Sequence, residues 1–260
     1  MGNTKSVKSI IRSANILKCI SKGCNRIRDI AKSSNLSKGT THRLLITLAE
    51  TGFVVQDPIS LKYYLGPAIL ELSSNSDIAH NSLIICALEQ MQDLMMLTRE
   101  TVLLHIRIGL QRVCIAEVES LQNIKYTNGI GYVAPLYTGA AGKILLSELQ
   151  DDQLDNLLAQ MHLVPITPNT IIDKDRLLDE IHQVREVGYA TSFGERVLGS
   201  SCVSLPIKNY IIPVALSILG PDNRFTPIRL LEHLGGIKES SKEISNKLKN
   251  VRHDTERESM

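Results

Sequence analysis

Residues 26–48 hold two helical periods separated by a gap of four residues, and few folds accommodate such a pair. Ile27, Ile30 and Ala31 recur at three- and four-residue steps, which marks an inward helical face. Asn35 falls where the chain must turn, and asparagine tolerates a left-handed backbone better than most residues. Ser37 offers its hydroxyl to the free N–H groups of the next helix start. In that second helix Thr41, Leu44, Leu45 and Leu48 form the inward stripe, leaving Lys38, Gly39, Thr40, Arg43 and Thr47 outside. Small residues at the N-terminal end permit close approach, and Arg43 one turn on can reach a guanine edge with a paired hydrogen bond. Such a face suits a helix entering the major groove.

Any helical hairpin with a solvated basic face satisfies the same pattern, so the residues downstream of it decide the reading. Gly52 ends the second helix, Phe53–Gln56 reads as a strand, Asp57–Ser60 as a turn and Leu61–Leu65 as a returning strand. A β-hairpin directly after a recognition helix makes a winged helix-turn-helix, with Lys62 placed to touch phosphate. Upstream, Val7, Ile10, Ile11, Ala14, Ile16, Leu17 and Ile20 predict a supporting helix with an apolar face wide enough to meet a second copy of the chain; residues 1–5 are expected to fray.

A net charge of only +2 over 260 residues argues against a polyanion partner until its distribution is read. Residues 1–66 carry eleven lysines and arginines against three acids, a balance of +8; residues 67–260 carry 18 against 24, a balance of −6. The first quarter is therefore the expected site for double-stranded DNA. No apolar run approaches the ~18–20 residues of a membrane span. Lys5, Lys8, Arg12 and Lys18 interrupt any signal-peptide layout, and a cytoplasmic protein is expected. Five cysteines without a Cys-x-x-Cys pair suggest neither a disulfide framework nor a zinc site. No metal or cofactor is expected.

Ala68–Leu72 begins a linker helix and Ser73–Ser76 is a polar break. A long helix is predicted from Ile78 to Leu97, a β-hairpin from Thr101–Ile108 and Gln111–Val118, and a further strand at Ile124–Tyr126. Helices come next at Thr138–Ser147, Asp152–Met161 and Asp173–Val187, the last stopped by Gly188. Val203–Pro206 and Ile211–Leu219 read as strands and Thr226–Lys249 as the final helix, with disorder after Arg252. The expected organisation is a DNA-binding domain at 6–66, a linker at 67–78 and an α+β domain with a largely antiparallel sheet at 79–250.

The informative stretch of that last domain is Gly129–Lys143. Small residues at 139–142 mark a helix start whose free N–H groups favour an anion, and a carboxylate is expected there. It is not a phosphate-binding loop, since Tyr137 and Ile144 occupy the places that need Gly and Ser or Thr. Tight packing of this helix on the sheet explains the same small residues equally well. The seven histidines are scattered, with no metalloprotease spacing and no Gly-x-Ser-x-Gly elbow, so no catalytic residues and no enzymatic activity are expected.

Four stretches together resemble the IclR-type bacterial transcription regulators over about residues 6–250. They are Leu36–Leu45 with Tyr64–Gly66, Pro135–Lys143, Val184–Tyr189 through Gly199–Cys202, and Ser217–Pro221 with Arg224–Thr226. The resemblance implies a winged helix-turn-helix, a linker helix and a GAF-like effector-binding domain, acting as a homodimer or homotetramer. It places the effector against Ala140, Ala141, Cys202 and Ser217. Three positions depart from the family pattern: Ser192 stands where an acid is common, Leu219 replaces a second pocket serine, and Tyr137 replaces histidine in Pro-Leu-His. These departures predict a larger or partly apolar carboxylate, such as an aromatic or sugar-derived acid.

The function expected is a sequence-specific transcription regulator, a repressor of a catabolic operon, controlled by a small organic acid. Lys38, Gly39, Thr40 and Arg43 approach base edges; Arg26, Arg28, Ser37, Thr41 and Lys62 hold phosphates. Two copies should read a partly palindromic operator. The competing expectation is a metabolite sensor that signals through protein partners and uses the helix-turn-helix to dimerise.

Overall fold

Apolar residues at helical spacing build the amino-terminal core. Ile16, Cys19 and Ile20 on α1 (Lys8–Ser21) meet Ile30 on α2 (Ile27–Ser33) and Leu45 and Leu48 on α3 (Lys38–Glu50). Each fully buried Ile or Leu contributes roughly 1.5–3 kcal/mol. Val54 on β1 (Val54–Gln56) and Tyr63 on β2 (Tyr63–Leu65) close the cluster, the two strands pairing antiparallel with Val54 opposite Leu65. Val7, Ile10 and Ile11 at the start of α1 remain exposed. The computed structural model describes residues 6–74 and 80–258, which fall into two compact units divided after Ala79.

The turn chemistry behaves as the sequence predicts. Asn35 has a φ of 51°, and the Ser37 hydroxyl accepts the Thr40 N–H at 3.2 Å to cap α3. In the wing, Asp57 Oδ1 accepts the N–H groups of Ile59 and Ser60, at 3.1 and 2.5 Å. Leu61 then takes a left-handed φ of 56°, so β2 begins at Tyr63 rather than Leu61. The Tyr63 N–H donates to the Asn25 carbonyl at 2.7 Å, tying the wing to the loop before α2. α4 (Pro67–Ser74) covers and extends the predicted linker helix; Asn75, Ser76 and Ile78 lie outside the described residues.

In the second unit α5 (Asn81–Thr98) precedes an antiparallel sheet of six strands. They are β3 (Thr101–Ile108), β4 (Gln111–Val118), β5 (Val133–Pro135), β6 (Ala190–Phe193), β7 (Ser200–Ile207) and β8 (Val214–Pro221), in the spatial order β5-β4-β3-β8-β7-β6. Alternation along the strands sorts the side chains between two layers. Val102, Leu104, Ile106, Val214, Leu216 and Ile218 pack with α5 and with α9 (Pro227–Glu258). Ala215 and Ala190 pack on the other face with α6 (Gly139–Ser147), α7 (Asp151–Gln160) and α8 (Lys174–Val187).

Two predicted elements differ. Ile124–Tyr126 is not a strand: Lys125 reaches back to the Ser120 carbonyl at 3.0 Å and Tyr126 OH donates to the Leu198 carbonyl at 3.1 Å. Side chains rather than a ladder hold this segment, and β5 takes the edge instead. The last helix runs to Glu258, beyond Lys249 and past the predicted disorder at Arg252, because no Gly or Pro comes after Gly236 to stop it.

Candidate functional site

On α3 the outer face is open. Lys38, Gly39, His42 and Arg43 are exposed and Thr40 is half-buried, while Arg26 and Arg28 at the start of α2 are exposed and Lys62 in the wing is half-buried. Lys38, Arg43, Arg26, Arg28 and Lys62 join no ion pair among the described residues. Arg12 on α1 lines a groove with Thr40 and Arg43, a basic neighbour that the helix-turn-helix pattern alone did not single out. Thr41 corrects an expectation. It is 0% exposed, its hydroxyl donates to the Ser37 carbonyl at 3.0 Å, and it packs the inner stripe instead of meeting phosphate.

In the second unit a small cavity lies on the sheet face under α6. Strand alternation brings Leu103 and His105 of β3, Arg112 of β4, Cys202 of β7 and Leu219 of β8 to this face, opposite the α5–α9 core. Arg112 is 4% exposed, its Nε has no partner, and the guanidinium makes no hydrogen bond or ion pair among the described residues. Burial and then the neighbouring Arg196 draw its pKa down to about 10, which leaves it a cation at neutral pH. Burying a charge is strongly unfavourable unless it is paired, and the field of Glu195 offsets only part of that cost. Arg196 donates to Asn128 Oδ1 at 2.7 Å and to Tyr132 OH at 2.9 Å, with its guanidinium 5.0 Å over the Tyr132 ring.

His105, 3% exposed, stays neutral: burial, Arg112 and Arg196 all push its pKa well below the usual value. Its Nδ1 lies 3.4 Å from Ser217 Oγ and its Nε2 3.4 Å from the Asn128 amide. Cys202 is held as a thiol, since burial raises its pKa. Ala140 and Ala141 form the cavity wall in the first turn of α6, where N–H groups have no acceptor inside the helix.

That helix start attracts carboxylate even within the chain. Glu195 accepts the Gly139 N–H at 2.9 Å and the Lys143 ammonium at 2.6 Å, and Lys143 also pairs with Glu180. Burial raises the Glu195 pKa and Lys143 opposes the shift. Gly139 has a φ of 74°, which disfavours any side chain, and Arg112 Nη2 lies 3.7 Å from where a Cβ would stand. At Gly142 a Cβ would come within 1.9 Å of the Leu136 carbonyl oxygen, so tight packing explains this glycine. The helix start thus takes a carboxylate from its own chain at Gly139, while close packing accounts for Gly142.

Of the effector residues expected from sequence, Ala140, Ala141, Ser192, Cys202 and Leu219 line the cavity together. Ser217 sits behind it, bonded to Ser204 Oγ at 2.8 Å. Tyr137 does not face the cavity: its hydroxyl donates to the Val164 carbonyl at 2.9 Å and accepts the Val164 N–H at 3.1 Å. The expectation of a larger acid rested partly on Tyr137, and that part of it falls away. Arg112, Arg196, His105 and Asn128 escaped the sequence reading. One signal was present: in Gln111–Val118, Arg112 shares its strand face with buried Cys114.

Among the described residues no helix is long and apolar enough to cross a membrane. Residues 76–246 match the profile of the bacterial transcriptional regulator IclR C-terminal domain, and residues 9–58 that of the IclR helix-turn-helix domain. The HTH-type transcriptional repressor AllR of Escherichia coli (strain K12) is 30% identical over 248 residues, covering 94% of this chain and 91% of that one. The crystal structure of Thermotoga maritima IclR is 30% identical, with a TM-score of 0.75 over 93% of this chain and 99% of its own. An IclR homolog from Microbacterium hydrocarbonoxydans, complexed with 4-hydroxybenzoate, shares the fold at 18% identity and a TM-score of 0.74, over 93% and 99% of the two chains. With a helix-turn-helix that binds DNA and a C-terminal domain that takes an effector, this chain belongs to the IclR family of transcription regulators.

Proposed function

We propose that this regulator represses a catabolic operon in the cytoplasm, as a homodimer or homotetramer on a partly palindromic operator, and that a small carboxylate bound in the C-terminal cavity sets its DNA affinity. Lys38, Gly39, Thr40 and Arg43 approach base edges, while Arg26, Arg28, Ser37 and Lys62 hold phosphates. The supporting observation is the open face of α3, where Lys38 and Arg43 are exposed and carry no protein counter-charge among the described residues. Duplex phosphates are the natural counter-charge, and small residues beside Arg43 leave room for base edges. The effector acts only if its affinity differs between protein arrangements that fit DNA and those that do not.

Gel shifts against the DNA upstream of the regulator's own gene, with unrelated duplex as competitor, test this. A retained complex that survives competitor at moderate salt, and that responds to an added organic acid, is the expected result. Equal retention of all duplexes in every liganded condition would leave the protein-partner alternative in its place.

A further inference from the structure

Given an acid effector in the C-terminal cavity, we infer that it carries two negative charges: a dianion of the dicarboxylate class, held between Arg112 and Arg196. The cavity wall presents two guanidiniums and no carboxylate. Glu195, the acid close enough to act on Arg112, is already committed to Lys143 and to the Gly139 N–H. Arg196 is satisfied by neutral oxygens and an aromatic ring, and Arg112 by nothing among the described residues.

Two like charges facing one cavity repel each other, and a single carboxylate neutralises only one of them. A guanidinium takes a carboxylate through two parallel N–H···O bonds, so two such forks describe two carboxylates. The first turn of α6 adds further N–H donors at Ala140 and Ala141. Leu103, Leu219 and Cys202 supply apolar walls between these donors, which suits a carbon spacer better than a bare inorganic anion.

The test uses the full chain, with thermal shift and calorimetry against oxalate, malonate and succinate. Acetate, glycolate and pyruvate serve as mono-acids, and inorganic phosphate as the carbon-free dianion. The best diacid should bind about tenfold or more tighter than the best mono-acid, as the loss of charge-assisted hydrogen bonds to one guanidinium implies. Arg196→Gln should remove that preference and keep mono-acid binding.

Arg112→Met separates binding from folding. It should raise the melting temperature of the ligand-free protein, because an unpaired buried cation gives way to an apolar chain, and it should abolish the diacid shift. A merely structural arginine would give a lower melting temperature. Mono-acids binding as tightly as diacids would overturn the dianion and leave the acid reading standing. Phosphate binding tightest would overturn the dicarboxylate class, and undiminished diacid binding by Arg112→Met would overturn the clamp. Were no member of the panel to bind, the acid reading itself would fall.

Discussion

On α3, Lys38 and Arg43 stand in water; on β4, Arg112 is 4% exposed and has no partner among the described residues. Both surfaces are positive, yet the physics differs. Hydrated charges perturb the fold little, act through their summed field and are screened by salt. A buried charge destabilises the empty protein and is relieved only when the right ligand arrives. The first kind of surface binds tightly and discriminates through a few base contacts. The second discriminates by charge and shape at once.

Ionic strength separates them most sharply. In the proposed mode, two copies of the chain offering Arg26, Arg28 and Lys62 would supply about six phosphate contacts. Raising salt from about 50 to 200 mM should then weaken operator binding by about 10³. Acid binding in the cavity should change by less than about threefold over that range, since buried charges are screened far less. Fluorescence anisotropy for DNA and calorimetry for the acid measure both slopes. Equal slopes would mean that the cavity charges are hydrated after all.

Within the DNA face, Arg43→Ala should cost about 1–3 kcal/mol at the preferred operator and relax base choice. Lys62→Ala should weaken all sequences about equally and lower the salt slope by about one per copy. If Arg43→Ala also weakens every duplex alike, Arg43 is a phosphate contact and the base readout lies elsewhere on α3.

The contrast between the two surfaces also explains what the sequence made legible. Hydrated charge is additive, so the balance of +8 over residues 1–66 pointed to DNA by itself. Helical spacing gave the inner stripe of Thr41, Leu45 and Leu48, because period alone decides which face is buried. Thr41 was then assigned to phosphate as well, and its burial excludes that role. The cavity was half legible. Ala140 and Ala141 come from the physics of a helix start, whereas Cys202 and Leu219 came only through family resemblance. Arg112, Arg196 and Asn128 meet across β4 and two loops distant in sequence, a convergence that no local pattern encodes.

His105 gives the buried site a signature in pH. Folding holds its pKa well below the ordinary 6.5, so the unfolded chain binds a proton that the folded chain does not. Its contribution to stability is complete above about pH 6.5 and is lost as pH falls from there towards the depressed folded value, by up to about 1.4 kcal/mol per pH unit for one proton. Urea denaturation between pH 5.5 and 7.5 should show that slope. His105→Gln should flatten it, and subtracting the two curves removes the contributions of Glu117 and Glu195, whose raised pKa values act in the opposite sense. An unchanged slope in His105→Gln would show that the ring is hydrated.

Ser37 carries the smallest effect and divides the exposed face most finely, because two roles meet in one hydroxyl. Its oxygen accepts the Thr40 N–H at 3.2 Å, the N-cap of α3, and the proposed DNA mode also assigns it a phosphate. Ser37→Ala should destabilise the amino-terminal unit by about 1 kcal/mol, the usual value of a lost cap. Ser37→Asp keeps an oxygen acceptor and adds negative charge at a helix N-terminus, so stability should stay within a few tenths of a kcal/mol. The same added charge repels phosphate, and operator affinity should fall for every sequence alike. Thermal denaturation and anisotropy on both variants read the two roles separately. If Ser37→Asp binds the operator as tightly as the parent, Ser37 caps α3 and no phosphate comes near it.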